Sequence, residues 1–168
     1  MVENRGRRPS WEDYYVDMAR LVAGRSTCPR RRVGAAMVKN QRLIATGYNG
    51  AVRGAAHCDD VGCLMEDGHC VRAVHAELNA IIQCAWEGVS SKGASVYTTD
   101  FPCVTCAKAM IQAGVERVVY LAPYPDRHSA RILQEAGIHL LRAEARPDGG
   151  YEIQEEADLG SGDGSQGA

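Results

Sequence analysis

Two short segments contain the side chains that most restrict how this chain can fold. The segment His75-Ala76-Glu77 supplies an imidazole and a carboxylate, and Pro102-Cys103-Val104-Thr105-Cys106 supplies two thiols. One imidazole and two thiolates suit Zn²⁺, and three protein ligands leave a fourth coordination position open. The sequence therefore predicts a fold in which both segments meet at a zinc ion, with His75, Cys103 and Cys106 as its ligands.

Both segments lie where helices are expected to begin. After His75, apolar residues recur at helical spacing, and Gly88 follows at the position of a C-terminal cap. Pro102 suits the first position of a second helix, and the spacing of Cys103 and Cys106 makes both sulfurs project from one face. Two helix N-termini would then converge on the metal, and their positive ends favour thiolate over thiol.

The residue types also predict a reaction. Zinc with an open position lowers the pKa of bound water toward neutrality. Glu77 is not needed as a fourth ligand, so its carboxylate can carry protons between that water, a ring nitrogen and a departing amine. The pattern thus indicates hydrolytic loss of ammonia from an amino-substituted ring, with Glu77 as the catalytic residue. A structural zinc site and two unrelated motifs are the alternatives that these residues leave open.

Charge and hydropathy argue against several classes of partner. The 168 residues include 19 Lys and Arg against 21 Asp and Glu, a net charge of −2. The chain therefore lacks the basic excess expected of a nucleic-acid-binding surface. No apolar run approaches membrane-spanning length, and residues 1–8 lack the apolar core of a signal peptide. We predict a cytoplasmic protein with no nucleic-acid and no membrane partner.

Strands and helices alternate along the chain. Ser10 and Asp13 form a capping box that begins the first helix, and further helices are expected to begin near His75, Cys103 and Ser129. The predicted strands span residues 33–38, 43–48, 95–99, 117–121 and 138–141. Such alternation predicts an α/β fold with helices on the faces of a sheet.

The length suits one domain with its own core. We expect that domain to span residues 10–145, after a flexible N-terminus at residues 1–9. Residues 146–168 are rich in Gly, Ser and acidic residues, which predicts a flexible polar tail.

Several further segments resemble deoxycytidylate (dCMP) deaminases, of the zinc-dependent cytidine and deoxycytidylate deaminase family. His-x-Glu followed by Pro-Cys-x-x-Cys is the signature of zinc-dependent base deaminases. Other similar segments are Arg25-Ser26-Thr27-Cys28, Val33-Gly34-Ala35, Thr46-Gly47-Tyr48-Asn49-Gly50, His57-Cys58, Gly93-Ala94-Ser95-Val96-Tyr97 and Ile111-Gln112-Ala113-Gly114-Val115. The resemblance covers roughly residues 10–142. It implies a cytidine-deaminase-like α/β/α fold of three layers around a central mixed sheet of about five strands.

The resemblance also implies a function. It implies conversion of dCMP to dUMP with release of ammonia, which feeds thymidylate synthesis. It further implies a homo-oligomer, commonly a hexamer, that dCTP activates and dTTP inhibits, with Mg²⁺ accompanying the nucleotide effector. Two alternatives stay open: deamination of another substrate, such as cytidine, guanine or a base in nucleic acid, and a zinc-stabilised binding protein without catalysis. Glu77 argues against the second, because a purely structural metal does not need a non-ligand carboxylate.

The remaining clustered cysteines predict a second metal site. They are Cys28, Cys58, Cys63 and Cys70, the last three in a loop rich in Gly, Asp and His. Four thiolates around a structural zinc would hold such a loop in place. Some relatives bind a structural zinc at positions matching Cys28 and Cys58, and His57 and His69 are competing ligands. Free cysteines in a mobile loop are the alternative.

Five residues are candidates for contacts with the substrate. In the deaminase fold, the Asn after the second strand typically binds the sugar hydroxyl, and Asn49 matches that place, although it also suits a turn. A 5′-phosphate needs Arg, Lys or free N–H groups, for which Arg25, Arg53 and Arg30 are candidates, although a single arginine is more often a solvated surface charge. Tyr124 resembles a family residue that lines the nucleotide pocket.

Overall fold

The computed structural model describes residues 8–123 and 126–156. The helices in these ranges are α1 Trp11–Ala23, α2 Cys58–Val61, α3 Ala76–Glu87, α4 Val104–Gln112 and α5 Arg127–Glu135. The strands are β1 Gly34–Lys39, β2 Arg42–Tyr48, β3 Gly50–Ala51, β4 Met65–Glu66, β5 His69–Cys70, β6 Ala73–Val74, β7 Ser95–Asp100, β8 Arg117–Ala122, β9 His139–Ala145 and β10 Tyr151–Glu155. None of the helices formed by these residues has the length and hydropathy needed to span a membrane.

Six strands form one mixed sheet in the order β10-β9-β8-β7-β1-β2. Strands β7, β8 and β9 run parallel to one another. Strand β1 is antiparallel to both β2 and β7, and β10 is antiparallel to β9. The predicted mixed sheet is confirmed, but the predicted count of about five strands omitted β10.

Strand β10 lies in the segment that was expected to be a flexible tail. Tyr151 pairs with Ala145 of β9, and its backbone N–H donates to Asp13 Oδ1 at 2.7 Å. Gly149 and Gly150 adopt φ of 92° and 83°, so the polar sequence before β10 is a turn between two strands. The expectation of a flexible tail is therefore wrong for residues 146–156. Residues 157–168, like residues 1–7, lie outside the described residues.

Helices cover both faces of this sheet. Adjacent strand residues point to opposite faces, so Val118 and Val119 of β8 belong to different apolar clusters. On one face, α1 packs through Tyr15, Val16 and Ala19. On the other face pack residues of α3, α4 and α5, which include Ala80, Met110 and Leu133. The α/β/α arrangement of three layers that the resemblance implied is confirmed.

The parallel strands place two helix N-termini side by side. Helix α4 follows β7 and helix α5 follows β8, and β7 and β8 are parallel neighbours. The carboxyl ends of parallel strands meet at one edge of the sheet, where α/β proteins commonly form their sites. The start of α4, which carries Cys103 and Cys106, therefore lies beside the start of α5.

Helix α3 is seated by a glycine in β2. A Cβ atom added to Gly47 would lie 2.0 Å from the carbonyl oxygen of Ala76 and 2.5 Å from the backbone nitrogen of Ala80. The first turn of α3 thus packs directly against the backbone of β2, with no room for a side chain. This contact places His75, which immediately precedes α3.

We expect Gly47→Ala to destabilise the fold by about 1–3 kcal/mol, because the helix backbone must move to admit a methyl group. The displaced α3 should also hold zinc less well. Chemical denaturation and zinc content are the measurements. Gly24→Ala is the control, since Gly24 has a helical φ of −61° and its added Cβ would meet its nearest neighbour at 3.1 Å. Equal unfolding midpoints for wild type and Gly47→Ala would contradict this packing argument.

Candidate metal centre and active site

Each motif places one residue at the cap of a helix. His75 is the N-cap of α3 and Cys103 is the N-cap of α4, and both have extended backbone conformations. Pro102 therefore precedes the N-cap and is not the first helical residue that its type suggested. His75 likewise lies just before the first turn. His75 and Cys103 thus each precede the first helical residue by one position. An N-cap has non-helical φ and ψ, and its side chain can therefore lie over the N-terminus of the helix.

The three predicted ligands lie close together. His75 Nδ1 is 3.4 Å from Cys103 Sγ and 3.4 Å from Cys106 Sγ. All three donor atoms lie within 4.8 Å of one another. Donors about 2.0 Å (nitrogen) and 2.3 Å (sulfur) from one tetrahedral Zn²⁺ would be roughly 3.5 Å apart. The donor types and their separations therefore fit a zinc ion.

The two thiols of this group differ in acidity. Hydrogen bonds from the Cys106 side chain and from His75 lower the pKa of Cys103 to about 4. The same bond to Cys103, together with burial, raises the pKa of Cys106. A divalent cation binds both sulfurs as thiolates, so zinc binding is expected to release a proton and to weaken as the pH falls.

Glu77 lies beside this group but does not belong to it. It is 4% exposed in the first turn of α3, and it falls outside the set of three mutually close donor atoms. Burial raises its pKa, while the nearby His75 partly opposes that effect. Its interaction with the Cys106 thiol places the carboxylate next to the metal ligands. A buried carboxyl with a raised pKa beside a metal site is suited to accept and return protons.

A second group of sulfurs forms in the loop between β3 and β6. Cys58, Cys63 and Cys70 have their Sγ atoms within 4.8 Å of one another, and Cys58 Sγ lies 3.7 Å from Cys70 Sγ. Two thiolates on one tetrahedral zinc would be about 3.8 Å apart. Burial opposes ionisation of Cys70, but the backbone N–H of Arg72 and the Cys58 thiol lower its pKa to about 7. Cys28, the fourth predicted ligand, is buried nearby but lies outside this group.

Asn49 lies at the end of β2 with its side chain already engaged in the protein. Its Oδ1 accepts from Ser26 Oγ at 2.6 Å and from the Val33 N–H at 2.8 Å. Its Nδ2 donates to the Arg31 carbonyl at 2.7 Å. Asn49 therefore holds the loop after α1 against the sheet, and one N–H of its amide is left for a ligand.

The predicted arginines lie on exposed loops. Arg25 follows the end of α1, and Arg53 stacks on Trp86 with its guanidinium 4.4 Å from the ring centroid. Arg53 and Trp86 line a cavity of about 530 Å³ between the loop after β2 and the outer side of α3. The lining of this cavity does not include His75, Glu77, Cys103 or Cys106. Tyr124 lies outside the described residues.

Sequence reasoning missed residues that support the metal ligands. Asn79 donates through Nδ2 to the Tyr48 carbonyl at 2.7 Å and so ties α3 to β2. Asp126 is the N-cap of α5, where its side chain accepts from the Ser129 N–H. The Asp126 cap is recognisable in the sequence as an acidic residue before a helical pattern, although Pro followed by Asp is also typical of a turn.

Sequence comparisons identify the relatives of this chain. The family model for the cytidine and deoxycytidylate deaminase zinc-binding region matches residues 9–122. The chain is 46% identical over 138 residues to ComE operon protein 2 of Bacillus subtilis. The alignment covers 82% of this chain and 73% of that protein. It is 42% identical over 143 residues to the deoxycytidylate deaminase of Schizosaccharomyces pombe, covering 79% of this chain. It spans 44% of the length of that yeast enzyme.

A solved structure shares the fold. The crystal structure of dCMP deaminase from the cyanophage S-TIM5, in complex with dCMP and dUMP, matches with a TM-score of 0.72 at 33% sequence identity. The match covers 81% of this chain and 98% of that one. The region matched by the family model includes the two segments that form the metal centre. The chain belongs to the cytidine and deoxycytidylate deaminase family.

Proposed function

We propose that this chain converts dCMP and water into dUMP and ammonia. The observation that carries the proposal is the zinc-compatible group of His75, Cys103 and Cys106 beside the buried, non-ligating carboxylate of Glu77. The likeness to enzymes named deoxycytidylate deaminase, one of them solved with dCMP and dUMP, supports this substrate.

The residues of the centre have two kinds of role in this proposal: three hold zinc and one transfers protons. His75, Cys103 and Cys106 would hold Zn²⁺, which when bound lowers the pKa of a coordinated water and so supplies the nucleophile. The Glu77 carboxylate would accept one proton from this water and deliver it to N3 of the cytosine ring as the water oxygen bonds to C4. The hydroxyl then on C4 would lose its remaining proton through Glu77 to the exocyclic amine. The C4–N bond would break, which releases ammonia and leaves the C4 carbonyl of dUMP.

Ammonia release measured on a panel of substrates tests the reaction and the substrate. The panel consists of dCMP, CMP, dCTP, deoxycytidine and guanine at equal concentrations. We expect dCMP to be deaminated fastest, and deoxycytidine to react poorly because it lacks the phosphate. Equal rates with deoxycytidine would overturn the nucleotide assignment, and activity on guanine alone would overturn the pyrimidine assignment. No ammonia from any substrate with zinc-loaded protein would favour a binding protein.

We propose further that Cys58, Cys63 and Cys70 hold a second, structural zinc. Their sulfur separations fit one ion, and the lowered pKa of Cys70 makes a thiolate accessible near neutral pH. Cys28 is near enough for its charge to act on Cys58, which makes it the candidate fourth ligand.

We expect elemental analysis to give two zinc ions per chain for the wild type and one for Cys63→Ser/Cys70→Ser. Removing this zinc should make residues 57–70 sensitive to proteolysis, because the loop has little apolar core of its own. Cys84→Ala is the control, since Cys84 lies outside both sulfur groups and should keep two zinc ions. One zinc per wild-type chain would rule out the second site.

The regulation implied by the resemblance is a proposal as well. The cavity beside Arg53 and Trp86 offers a cation and an aromatic face away from the metal ligands, which suits a nucleoside triphosphate. Adding dCTP or dTTP with Mg²⁺ to the dCMP assay is the test. We expect dCTP to raise and dTTP to lower the rate. Loss of both responses in Trp86→Ala with basal turnover intact would support this cavity, and an unregulated wild type would exclude it.

We also propose that the chain forms a homo-oligomer, and that α1 contributes to the contact between copies. Besides the face that packs on the sheet, α1 exposes Trp11 (44%), Tyr14 (43%) and Leu21 (72%). Exposed apolar groups of this size are typical of protein contacts. Light scattering across a range of protein concentrations measures the mass. A hexamer agrees with the family resemblance, and a monomer at all concentrations contradicts the proposal.

A further inference from the structure

We infer that Asp126 and Ser129, at the start of α5, are positioning residues that fix the backbone of the metal ligand Cys103. The inference deepens the proposed function, on which it rests, because it concerns how the zinc site is held together. Neither residue belongs to the metal-donor group, and both act through the peptide groups on either side of Cys103.

Two hydrogen bonds hold those peptide groups. Asp126 Oδ2 accepts from the Val104 N–H at 2.9 Å, and Ser129 Oγ donates to the Pro102 carbonyl at 2.7 Å. The Pro102 carbonyl belongs to the peptide before the Cys103 Cα, and the Val104 N–H belongs to the peptide after it. The orientations of these two planes define φ and ψ of Cys103. The pair of bonds therefore fixes the direction of its Cβ, and only the side-chain torsion of the ligand is left free.

The chemistry of a thiolate ligand explains why this support comes from another helix. The first N–H groups of a helix have no partner within it, and an N-cap side chain usually accepts from one of them. At α4 the N-cap is Cys103, whose sulfur faces His75 and does not serve as a side-chain cap. Asp126 supplies an oxygen to α4 instead, while its other oxygen accepts from the Ser129 N–H at 3.0 Å. One carboxylate thus caps two helices.

Burial makes the Ser129 bond specific. Ser129 is 0% exposed, so water cannot replace its hydroxyl as the partner of the Pro102 carbonyl. A buried polar group that loses its partner is costly, so the carbonyl would turn to find another. Such a turn would rotate the peptide before Cys103 and move its sulfur away from the 3.4 Å separation from His75 Nδ1.

Three variants separate this positioning role from general stability. Asp126→Asn keeps a residue type that caps helices well, but it replaces one of the two oxygens with an NH₂ group. That group donates and cannot accept the N–H bond that this oxygen receives in the wild type. Ser129→Ala removes the bond to the Pro102 carbonyl. Ser91→Ala is the matched control, because Ser91 Oγ donates to the Ala113 carbonyl at 2.8 Å, at the opposite end of α4.

Zinc affinity is measured by competition with a chromogenic chelator, and the metal geometry by the visible spectrum of the Co²⁺-substituted protein. All variants carry Cys63→Ser and Cys70→Ser, so that the second sulfur group does not contribute. We expect Asp126→Asn and Ser129→Ala each to weaken zinc binding about 10–100-fold and to alter the Co²⁺ bands. Ser91→Ala should leave the zinc affinity and the Co²⁺ bands unchanged. It should lose thermal stability, as Ser129→Ala also should, because each variant loses one hydrogen bond.

Wild-type zinc affinity and an unaltered Co²⁺ spectrum in either α5 variant would overturn the inference for the substituted residue. Each of the two variants decides the question separately, so a folding failure in one leaves the other as the test. Failure of the proposed function itself looks different: the parent protein would then bind no metal through His75, Cys103 and Cys106, or would release no ammonia from dCMP. The inference would fall with it.

Discussion

The Glu77→Gln variant is expected to bind zinc as the wild type does and to deaminate dCMP about 100-fold to 10,000-fold more slowly. Glutamine has nearly the same shape, so the packing of this 4% exposed side chain should change little. An amide cannot accept a proton from water or pass one to the ring, and the two proton transfers assigned to Glu77 would both fail. Zinc should stay, because Glu77 does not belong to the donor group.

The measurements are steady-state turnover of dCMP and zinc content of the same samples. Glu87→Gln is the matched control, since Glu87 is an exposed residue at the last position of the same helix. It should keep both zinc and turnover. A Glu77→Gln enzyme with a near-normal rate would remove this carboxylate from the mechanism, and one that also lost zinc would assign it a structural role.

Cys106→Ala should lose the zinc of the active centre and, with it, all measurable deamination. Alanine has no ligand atom, and the two remaining donors, His75 and Cys103, cannot hold a tetrahedral ion tightly. The variant should also unfold more easily than the zinc-loaded wild type. A ligand that binds only the folded state stabilises it by about 4 kcal/mol when its free concentration is 1,000 times Kd.

Comparison with Cys84→Ala separates the effect of losing zinc from the effect of losing a buried sulfur. Both cysteines are buried on helices, at 0% exposure for Cys106 and 2% for Cys84, but Cys84 contacts Met37 and no metal-donor group. The loss of one buried sulfur should lower the free energy of unfolding of Cys84→Ala by about 1 kcal/mol. Its zinc content and its turnover of dCMP should stay as in the wild type. Dialysis against a chelator, followed by zinc analysis and thermal unfolding, measures both effects. Retention of activity by Cys106→Ala would contradict the ligand assignment.

Local sequence patterns predicted most of the regular structure. The five predicted strands correspond to β1, β2, β7, β8 and β9, and the capping box of Ser10 and Asp13 is present at α1. These elements follow from hydrophobic periodicity and from residues that favour helix starts and turns, which are properties of neighbouring residues. Strand β10 was missed because the polar residues before it are typical both of a turn and of a flexible tail.

The candidate site likewise combines features that local sequence patterns predicted with features that they did not. The donor types of the candidate site were evident from two motifs, and these sufficed to predict a zinc site; the role of Glu77 stays a prediction. The placement of Arg53 on Trp86, and the use of the Asn49 side chain to hold a loop, could not be predicted from the sequence. Both depend on which surfaces meet after the chain has folded.

Residue types and their local spacing were enough to predict a zinc site and the order of the elements, because ligand preference and helix capping depend on residue type and close spacing. The contacts that hold the ligands in place depend instead on long-range packing. Asp126 meets Val104 because parallel strands bring the starts of α4 and α5 to one edge of the sheet. Tyr151 meets Asp13 because β10 adds to the edge of the same sheet. Contacts between residues so far apart in the chain arise from packing, which no local pattern records.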